Sequence, residues 1–185
     1  MKVAFGTQTF MYPMPVLIVA SYGADGTPDA MNAAWGGIHD TNQIGVCLSP
    51  DHKTVKNILD RKAFTVSMAD SDHVAACDYV GIVSANKEPE KLKKAGFTVT
   101  KSTNVDAPVI NELSMALECR LVSYDENSGY MIGDIVNVLA EESVLTDGKI
   151  DPLKLKPITY DPVNHKYIQL GDIVGTAFQD GKALR

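Results

Sequence analysis

The chain has 185 residues, of which 45% are hydrophobic and 22% are charged, a balance typical of a folded globular protein rather than a disordered one. This length suits one ordinary domain, so we expect a single domain over residues 1–185. The net charge of −6 argues against a general nucleic-acid-binding protein, because no broad basic field would attract a phosphate backbone.

Neither a disulfide framework nor a membrane segment is indicated. The three cysteines, Cys47, Cys77 and Cys119, are odd in number and far apart, which favours a reducing, cytoplasmic compartment. The apolar run VLIVA at residues 16–20 is much shorter than the roughly 18 to 20 residues of a membrane span, and no basic region precedes it. We therefore expect a cytoplasmic protein with no signal peptide, no membrane anchor and no nucleic-acid partner.

The first part of the chain alternates between strand patterns and one helix pattern. Apolar and β-branched runs predict strands at residues 15–23, 30–37, 44–49 and 63–69. Helical spacing in SPDHKTVKNILDRK, from Ser49 to Lys62, predicts a helix with Asp51 as its N-cap. Cys47 falls inside an apolar strand, which indicates a small core residue.

The middle of the chain is more helical, and strand patterns then return. Helices are predicted in residues 70–81, ending near Gly81, and in residues 88–96, with proline in the first turn and Gly96 at the stop. Strand patterns follow at residues 114–125 and 130–145. The many strands joined by turns favour a closed antiparallel barrel over a doubly wound α/β sheet, and no GxGxxG motif is present.

Two polar segments are candidates for binding an anion. In SPDHKT, the free amides of a helix start lie beside Lys53 and Thr54, although an ordinary solvated helix start would give the same pattern. In VSANKEPEKLKK, residues 83–94, Ser84 and Asn86 occupy a turn before Lys91, and a solvated basic face is the alternative.

Two further features stay open or are set aside. Trp35, the single tryptophan, follows a run of small residues and could pack in a core, at a dimer interface or against a ligand. His73 and Cys77 have the i, i+4 spacing of a helical metal pair, but two ligands without a third do not form a site, and we expect no metal.

The order of several segments resembles one known family. These segments are PVLIVAS, DGTPDAMNAAW, IGVCLSPDHKTVKNI, AFTVSM, GIVSANKEPEKLKKAGF, APVINELSMALECRL and IGDIVNV. Together, from about residue 13 to the LGDIVGTAF tail, they resemble the flavin reductase-like family of FMN-binding split barrels, and its flavoredoxin branch in particular. The resemblance implies a mainly β protein, a six-stranded antiparallel Greek-key split barrel with short peripheral helices, usually a homodimer with FMN near the subunit interface.

The resemblance also implies which residues contact the cofactor. Those expected at the isoalloxazine ring are Met31, Asn32, Ala33 and Ala34, with Trp35 as a neighbouring wall. Those expected at the phosphate and ribityl chain are Ser49, Pro50, Lys53, Thr54, Ser84, Ala85, Asn86 and Lys91. Small residues would let the backbone approach the ring edge, and a phosphate needs cations and a helix N-terminus.

Two positions depart from the family pattern. Asp29 stands where many relatives have asparagine, and its negative charge near the ring could lower the flavin potential. The segment NSGY stands where many flavoredoxin-like members carry a histidine, so that Ser128 or Gly129 occupies the matching place. Tyr130 or His165 could replace that histidine from nearby.

Three functions are compatible with these patterns. The first is an NAD(P)H-dependent flavin reductase in which nicotinamide stacks on the exposed ring and no protein base is required. The second is a flavoredoxin-type electron carrier that keeps its FMN and serves a redox partner protein. The third is a dimeric structural module with an empty groove.

Overall fold

The structure is a computed structural model that describes residues 1–184. Over these residues the chain forms fourteen strands, four α-helices and two 3-10 helices. The strands are β1 (Met14–Pro15), β2 (Leu17–Tyr22), β3 (Pro28–Ala33), β4 (Gly36–Asp40), β5 (Gln43–Cys47), β6 (Ala63–Met68), β7 (Val99–Lys101), β8 (Pro108–Ile110), β9 (Met115–Asp125), β10 (Tyr130–Ala140), β11 (Leu145–Thr146), β12 (Lys149–Ile150), β13 (Ile158–Asp161) and β14 (Lys166–Gln169). The α-helices are α1 (Lys53–Arg61), α2 (Val74–Ile82), α3 (Lys91–Ala95) and α4 (Pro152–Leu155), and the 3-10 helices are Glu142–Val144 and Asp180–Leu184.

Seven of these strands form one antiparallel sheet in the order β3-β2-β6-β9-β10-β5-β4. Its two edge strands, β3 and β4, follow each other directly in the chain, separated only by Ala34 and Trp35. Three Cα steps reach at most about 11 Å, so the two edges must lie close together and the sheet must curl. Close packing shows the curl, because a Cβ on Gly36 of β4 would lie 3.1 Å from Leu17 Cδ1 of β2.

The mainly β, split-barrel fold predicted from the sequence is confirmed. The main sheet has seven strands rather than six, because the run predicted as one strand at residues 30–37 divides at Ala34 and Trp35 into β3 and β4. The expectation of a closed barrel was wrong, since β3 and β4 are edges that do not pair with each other within the described chain. We call the place where these edges meet, Ala34–Trp35, the seam.

Strand β2 is buried on both faces and divides the core into two parts. Leu17 and Val19 face a cluster inside the curled sheet that also contains Phe64. Ile18 and Ala20 face a second cluster that packs under α2 and α3. Burial on both faces explains why this strand appears in the sequence as a continuous apolar run rather than an alternating one.

Helix α1 begins one residue later than predicted. His52 is its N-cap, with φ −66° and ψ 136° and no hydrogen bond from its side chain to the helix, so the prediction of an Asp51 cap was wrong. The amide of His52 donates to the Ser49 carbonyl at 3.2 Å, and this turn uses residues 50 and 51 before the helix starts. Lys62 ends the helix in the left-handed conformation, with φ 57°.

Other boundaries differ in similar ways. Pro89 precedes the N-cap Glu90 of α3 instead of lying in the first turn, while Gly96 ends that helix as predicted, with φ 80°. Strand β10 stops at Ala140, and the remainder of the predicted strand contains the 3-10 helix Glu142–Val144 and the first residue of β11. Cys47 is exposed at the end of β5, so its assignment to the core was wrong.

A buried carboxylate, that of Glu118 on β9, fastens the 102–107 segment to the sheet. Its side chain is 1% exposed and accepts hydrogen bonds from Ser102 Oγ, from Asn137 Nδ2 at 2.6 Å and from Asn104 Nδ2 at 2.7 Å. Burial works to raise the pKa of Glu118, but the three hydrogen bonds outweigh it and leave the pKa lowered.

No helix in residues 1–184 is long and apolar enough to cross a membrane.

Candidate functional site

A groove runs along the seam and continues beneath helices α1 and α2. It consists of two neighbouring cavities of about 300 Å³ and about 180 Å³. The two cavities share four lining residues, Met31, His52, Gly81 and Ile82, and therefore adjoin each other. We call them the seam cavity and the helix cavity.

The seam cavity is lined by the end of β3, by the seam and by the end of β5. Trp35 is 50% exposed and forms an open wall rather than filling the core. Its carbonyl accepts the amide of Cys47 at 2.7 Å, which ties the seam to β5. Small side chains at Ala33 and Ala34 leave the backbone accessible at this point.

Three polar side chains meet on one wall of the seam cavity. Asn32 of β3 donates from Nδ2 to the Cys77 carbonyl of α2 at 3.1 Å and lies 3.5 Å from the Tyr167 hydroxyl. Tyr167 of β14 donates its hydroxyl to Asp78 Oδ1 of α2 at 2.7 Å. Burial, together with the hydrogen bond to Asp78, raises the pKa of Tyr167 well above its usual value. The strand, the helix and the hairpin are therefore held together at this wall, with the tyrosine protonated.

The helix cavity lies at the N-terminus of α1. The first amides of a helix have no intrahelical partners, and the helix dipole places partial positive charge there. Lys53, half-buried in this first turn, lines the cavity and forms no ion pair within residues 1–184. The cavity therefore combines helix amides with an available cation, which is the arrangement that binds phosphate groups.

The second lysine of the helix cavity, Lys91, is already occupied. Its Nζ lies 3.0 Å from Asp29 Oδ1, in ion-pair contact although outside hydrogen-bond geometry, and both side chains are almost completely buried. The same Nζ donates to the carbonyls of Val80 at 3.2 Å and Val83 at 3.0 Å. Thr54 donates its hydroxyl to Asp29 Oδ2 at 2.7 Å. Lys91, Asp29 and Thr54 thus form a buried cluster whose charges compensate each other.

The structure brings most of the sequence-predicted site residues to the groove. Those lining the seam cavity are Met31, Asn32, Ala33, Ala34, Trp35 and Ser49, and those lining the helix cavity include Asp29, Lys53, Thr54, Ser84, Ala85 and Lys91. Pro50 and Asn86 belong to neither lining, although the Asn86 amide donates to Ser84 Oγ at 3.3 Å. Asp29 lines the helix cavity rather than the seam cavity, and its charge is compensated by Lys91.

Sequence reasoning missed several residues of the groove. In the seam cavity these are His52, Leu48, Cys47, Asp78, Gly81, Ile82, Tyr160 and Tyr167, and in the helix cavity they also include Val80 and Val83. The two tyrosines come from the β13–β14 hairpin, more than a hundred residues after β3 in the chain. Their spacing around the turn at residues 162–165 could have suggested a hairpin, but nothing in that spacing shows where the hairpin packs.

The residues considered as substitutes for the family histidine lie in two places. Tyr130 lines a third cavity, of about 430 Å³, that shares Ala34, Trp35 and Cys47 with the seam cavity. The Tyr130 hydroxyl lies 2.9 Å from Nδ1 of His39, a histidine that the sequence did not single out. His165 Nδ1 lies 2.7 Å from the Tyr160 hydroxyl and so reaches the seam cavity only through that tyrosine.

The pair that was set aside as a metal site has other partners. His73 Nδ1 lies 2.8 Å from Asp70 Oδ1, at the start of α2. Cys77 is buried, and this burial raises the pKa of its thiol to about 12. His73 thus contacts a carboxylate just before α2, while Cys77 packs in the core beneath the helix.

Known proteins are similar to this chain in sequence and architecture. A flavoredoxin of Desulfovibrio vulgaris (Miyazaki F) is 36% identical, with a TM-score of 0.94 over 98% of this chain and 100% of that chain. A flavoredoxin from Methanosarcina acetivorans is 30% identical, with a TM-score of 0.90 over the whole of both chains. An uncharacterized protein of Aquifex aeolicus is 31% identical over 108 residues, 57% of this chain and 55% of that protein.

An uncharacterized protein of Aeropyrum pernix is 29% identical over 119 residues, 63% of this chain and 44% of that protein. The matches thus span about half the length of the curated relatives. The family model described as flavin reductase like domain matches residues 9–163. The chain therefore belongs to the flavin reductase-like domain family.

Proposed function

We propose that this protein binds FMN in the groove and transfers hydride or electrons between NAD(P)H and the flavin. The observation that carries the proposal is that the two cavities adjoin each other. An open cavity with small side chains suits a flat ring, and the neighbouring cavity lies at a helix N-terminus with an available lysine. Membership of the flavin reductase-like family supports the same cofactor.

The residues present fit FMN at both ends. The backbone from Met31 to Ala34 would meet the ring edge, with Trp35 as a side wall. The α1 amides and Lys53 would hold the phosphate, and Ser84 also lines the helix cavity. When bound, FMN supplies the redox chemistry itself. The chain's own task is to bind the ring, orient it and adjust its electrostatic surroundings.

Lys91 acts indirectly in this arrangement. Its Nζ is in ion-pair contact with Asp29 and donates to two backbone carbonyls, so it stabilises the lining of the helix cavity instead of donating to the phosphate. The phosphate charge then rests on Lys53 and the helix amides.

A specific observation favours a second candidate function, a flavoredoxin-type electron carrier that keeps its FMN and serves a redox partner protein. Two structures named flavoredoxins match this chain over essentially its whole length at 36% and 30% identity. Hydride transfer from NAD(P)H and electron exchange with a protein partner would use the same groove.

One experiment tests the cofactor and separates the two functions. The purified protein is examined for flavin absorption and then mixed with NADH or NADPH and excess free FMN. Rapid nicotinamide oxidation with weakly held FMN supports the reductase, whereas tightly held FMN without turnover supports the carrier. A colourless protein whose fluorescence does not change on FMN titration would contradict both.

We also infer a homodimer. Large apolar side chains beside the groove are unusually exposed, including Trp35 at 50%, Ile38 at 72% and Ile82 at 75%. Contiguous apolar surface of this kind supports a protein contact. Light scattering during size-exclusion chromatography should give about twice the 20.0 kDa chain mass, and a monomer at micromolar concentration would refute the dimer.

A further inference from the structure

We propose that Asp78, positioned by Tyr167, is the carboxylate that lowers the reduction potential of the bound flavin. This inference rests on the proposed function, because it concerns a flavin in the seam cavity. It assigns to Asp78 the electrostatic role that the sequence suggested for Asp29.

The first step is location. Asp78 lies on α2 and lines the seam cavity, in which the ring is expected to lie, together with Asn32 and Tyr167. Asp29 lines only the helix cavity, at the phosphate end. Of the two carboxylates, Asp78 is therefore the one that faces the ring.

The second step is charge compensation. Asp29 forms a buried ion pair with Lys91, so its field at a distance is largely cancelled. Asp78 takes part in no ion pair within residues 1–184, and its carboxylate accepts a hydrogen bond from the neutral Tyr167 hydroxyl at 2.7 Å. The other titratable side chains that line this cavity are Cys47, Tyr160, Tyr167 and His52. Of these only the His52 ring can take up a positive charge, and it is exposed at the junction with the helix cavity. The Asp78 carboxylate is thus screened by water and a hydroxyl rather than by a cation.

The third step is position. The hydrogen bond from Tyr167 keeps the half-buried Asp78 carboxylate on the cavity wall instead of in open solvent. Tyr167 is itself fixed by the β13–β14 pairing, where it faces Tyr160 across the hairpin. Tyr167 is therefore a positioning residue that acts on the flavin through Asp78.

The consequence follows from linkage. Reduction increases the negative charge on the ring, so a fixed carboxylate weakens binding of the reduced flavin more than binding of the oxidised flavin. For one charge beside a partly exposed site we expect an effect of about three- to tenfold on the ratio of the two dissociation constants. A tenfold change corresponds to about 30 mV for a two-electron couple.

The test compares Asp78→Asn with a matched control, Asp60→Asn, which removes an exposed carboxylate on α1 that lines neither cavity. Dissociation constants are measured by titration for oxidised FMN and, anaerobically, for dithionite-reduced FMN, and the potential is measured by dye equilibration. Asp78→Asn should tighten binding of reduced FMN relative to oxidised FMN by about three- to tenfold and raise the potential accordingly. Asp60→Asn should leave the ratio unchanged. An unchanged ratio in Asp78→Asn, or an equal shift in both variants, overturns the proposal.

Tyr167→Phe tests the positioning step. It should shift the ratio in the same direction as Asp78→Asn but less, and adding it to Asp78→Asn should produce no further shift. Additive shifts, or a shift in the opposite direction, would show that Tyr167 does not act through Asp78. If the unchanged protein binds no FMN, the proposed function fails. If FMN binds with a ratio that is insensitive to Asp78, only this inference fails.

Discussion

Removal of the Lys53 side chain tests the phosphate end of the groove most directly. Lys53 is half-buried in the first turn of α1, lines the helix cavity and has no competing ion pair within residues 1–184. Its ammonium is therefore free to make one charge-assisted contact with the FMN phosphate. Such a contact contributes roughly 1.5 to 3 kcal/mol. Lys53→Ala should thus raise the dissociation constant of FMN by about 10- to 150-fold.

The assay is a titration of FMN and of riboflavin, which lacks the phosphate, into each variant. Lys53→Ala should weaken FMN binding and leave riboflavin binding unchanged, and the difference should shrink as salt is added. Lys56→Ala is the matched control, because Lys56 is exposed one turn along the same helix and lines neither cavity. Unchanged FMN affinity in Lys53→Ala would refute the reasoning and leave SPDHKT as an ordinary helix start. Equal losses for FMN and riboflavin would refute it as well, since the phosphate would not then be the group contacted.

Three further predictions concern stability and thiol reactivity. Lys91→Ala should lower the free energy of unfolding by roughly 3 to 5 kcal/mol because it strands the buried Asp29 charge, and a Lys91→Met/Asp29→Asn double variant should recover most of it in urea melts. Hydrogen bonds hold the pKa of Glu118 in the folded protein below the usual glutamate value of about 4.3. The ionised side chain therefore contributes fully to the free energy of unfolding above that value, and this contribution is lost as the pH falls through the lowered pKa of the folded protein. Glu118→Gln should therefore flatten the acid limb of a stability-against-pH curve, and an unchanged acid limb would contradict this. Cys47 should react quickly with a thiol reagent and be protected by FMN, whereas the buried Cys77 should stay unreactive, and equal rates for both thiols would argue against the described burial.

The sequence predicted those parts of the fold that depend on residues close together in the chain. The apolar run of β2 indicated a strand, and its burial on both faces is the reason the run is uninterrupted. The small residues before Trp35 indicated an accessible backbone, and the structure places them on the cavity wall. Each of these signals comes from residues that are adjacent in the chain.

What the sequence could not show depends on distant partners. Asp29 appeared to be an uncompensated charge because Lys91, its partner, lies sixty-two positions later in the chain. Tyr167 reaches the groove only because β14 pairs with β13 and the hairpin packs near α2. Cys47 was assigned to the core because the apolar strand predicted at residues 44–49 continued past it, whereas β5 ends at Cys47 and leaves it exposed.

The seam has a consequence for the motions of the sheet. Its edge strands, β3 and β4, are joined by two residues of covalent chain rather than by a ladder of hydrogen bonds, so they can separate without breaking backbone pairing between them. Amide hydrogen exchange in the edge strands β3 and β4 should therefore be faster than in the central strands β6 and β9. A ring bound against Ala33 and Ala34 would contact the chain between β3 and β4 and slow amide exchange in both strands together. The bound ligand would then hold together two edge strands that no backbone hydrogen bonds join.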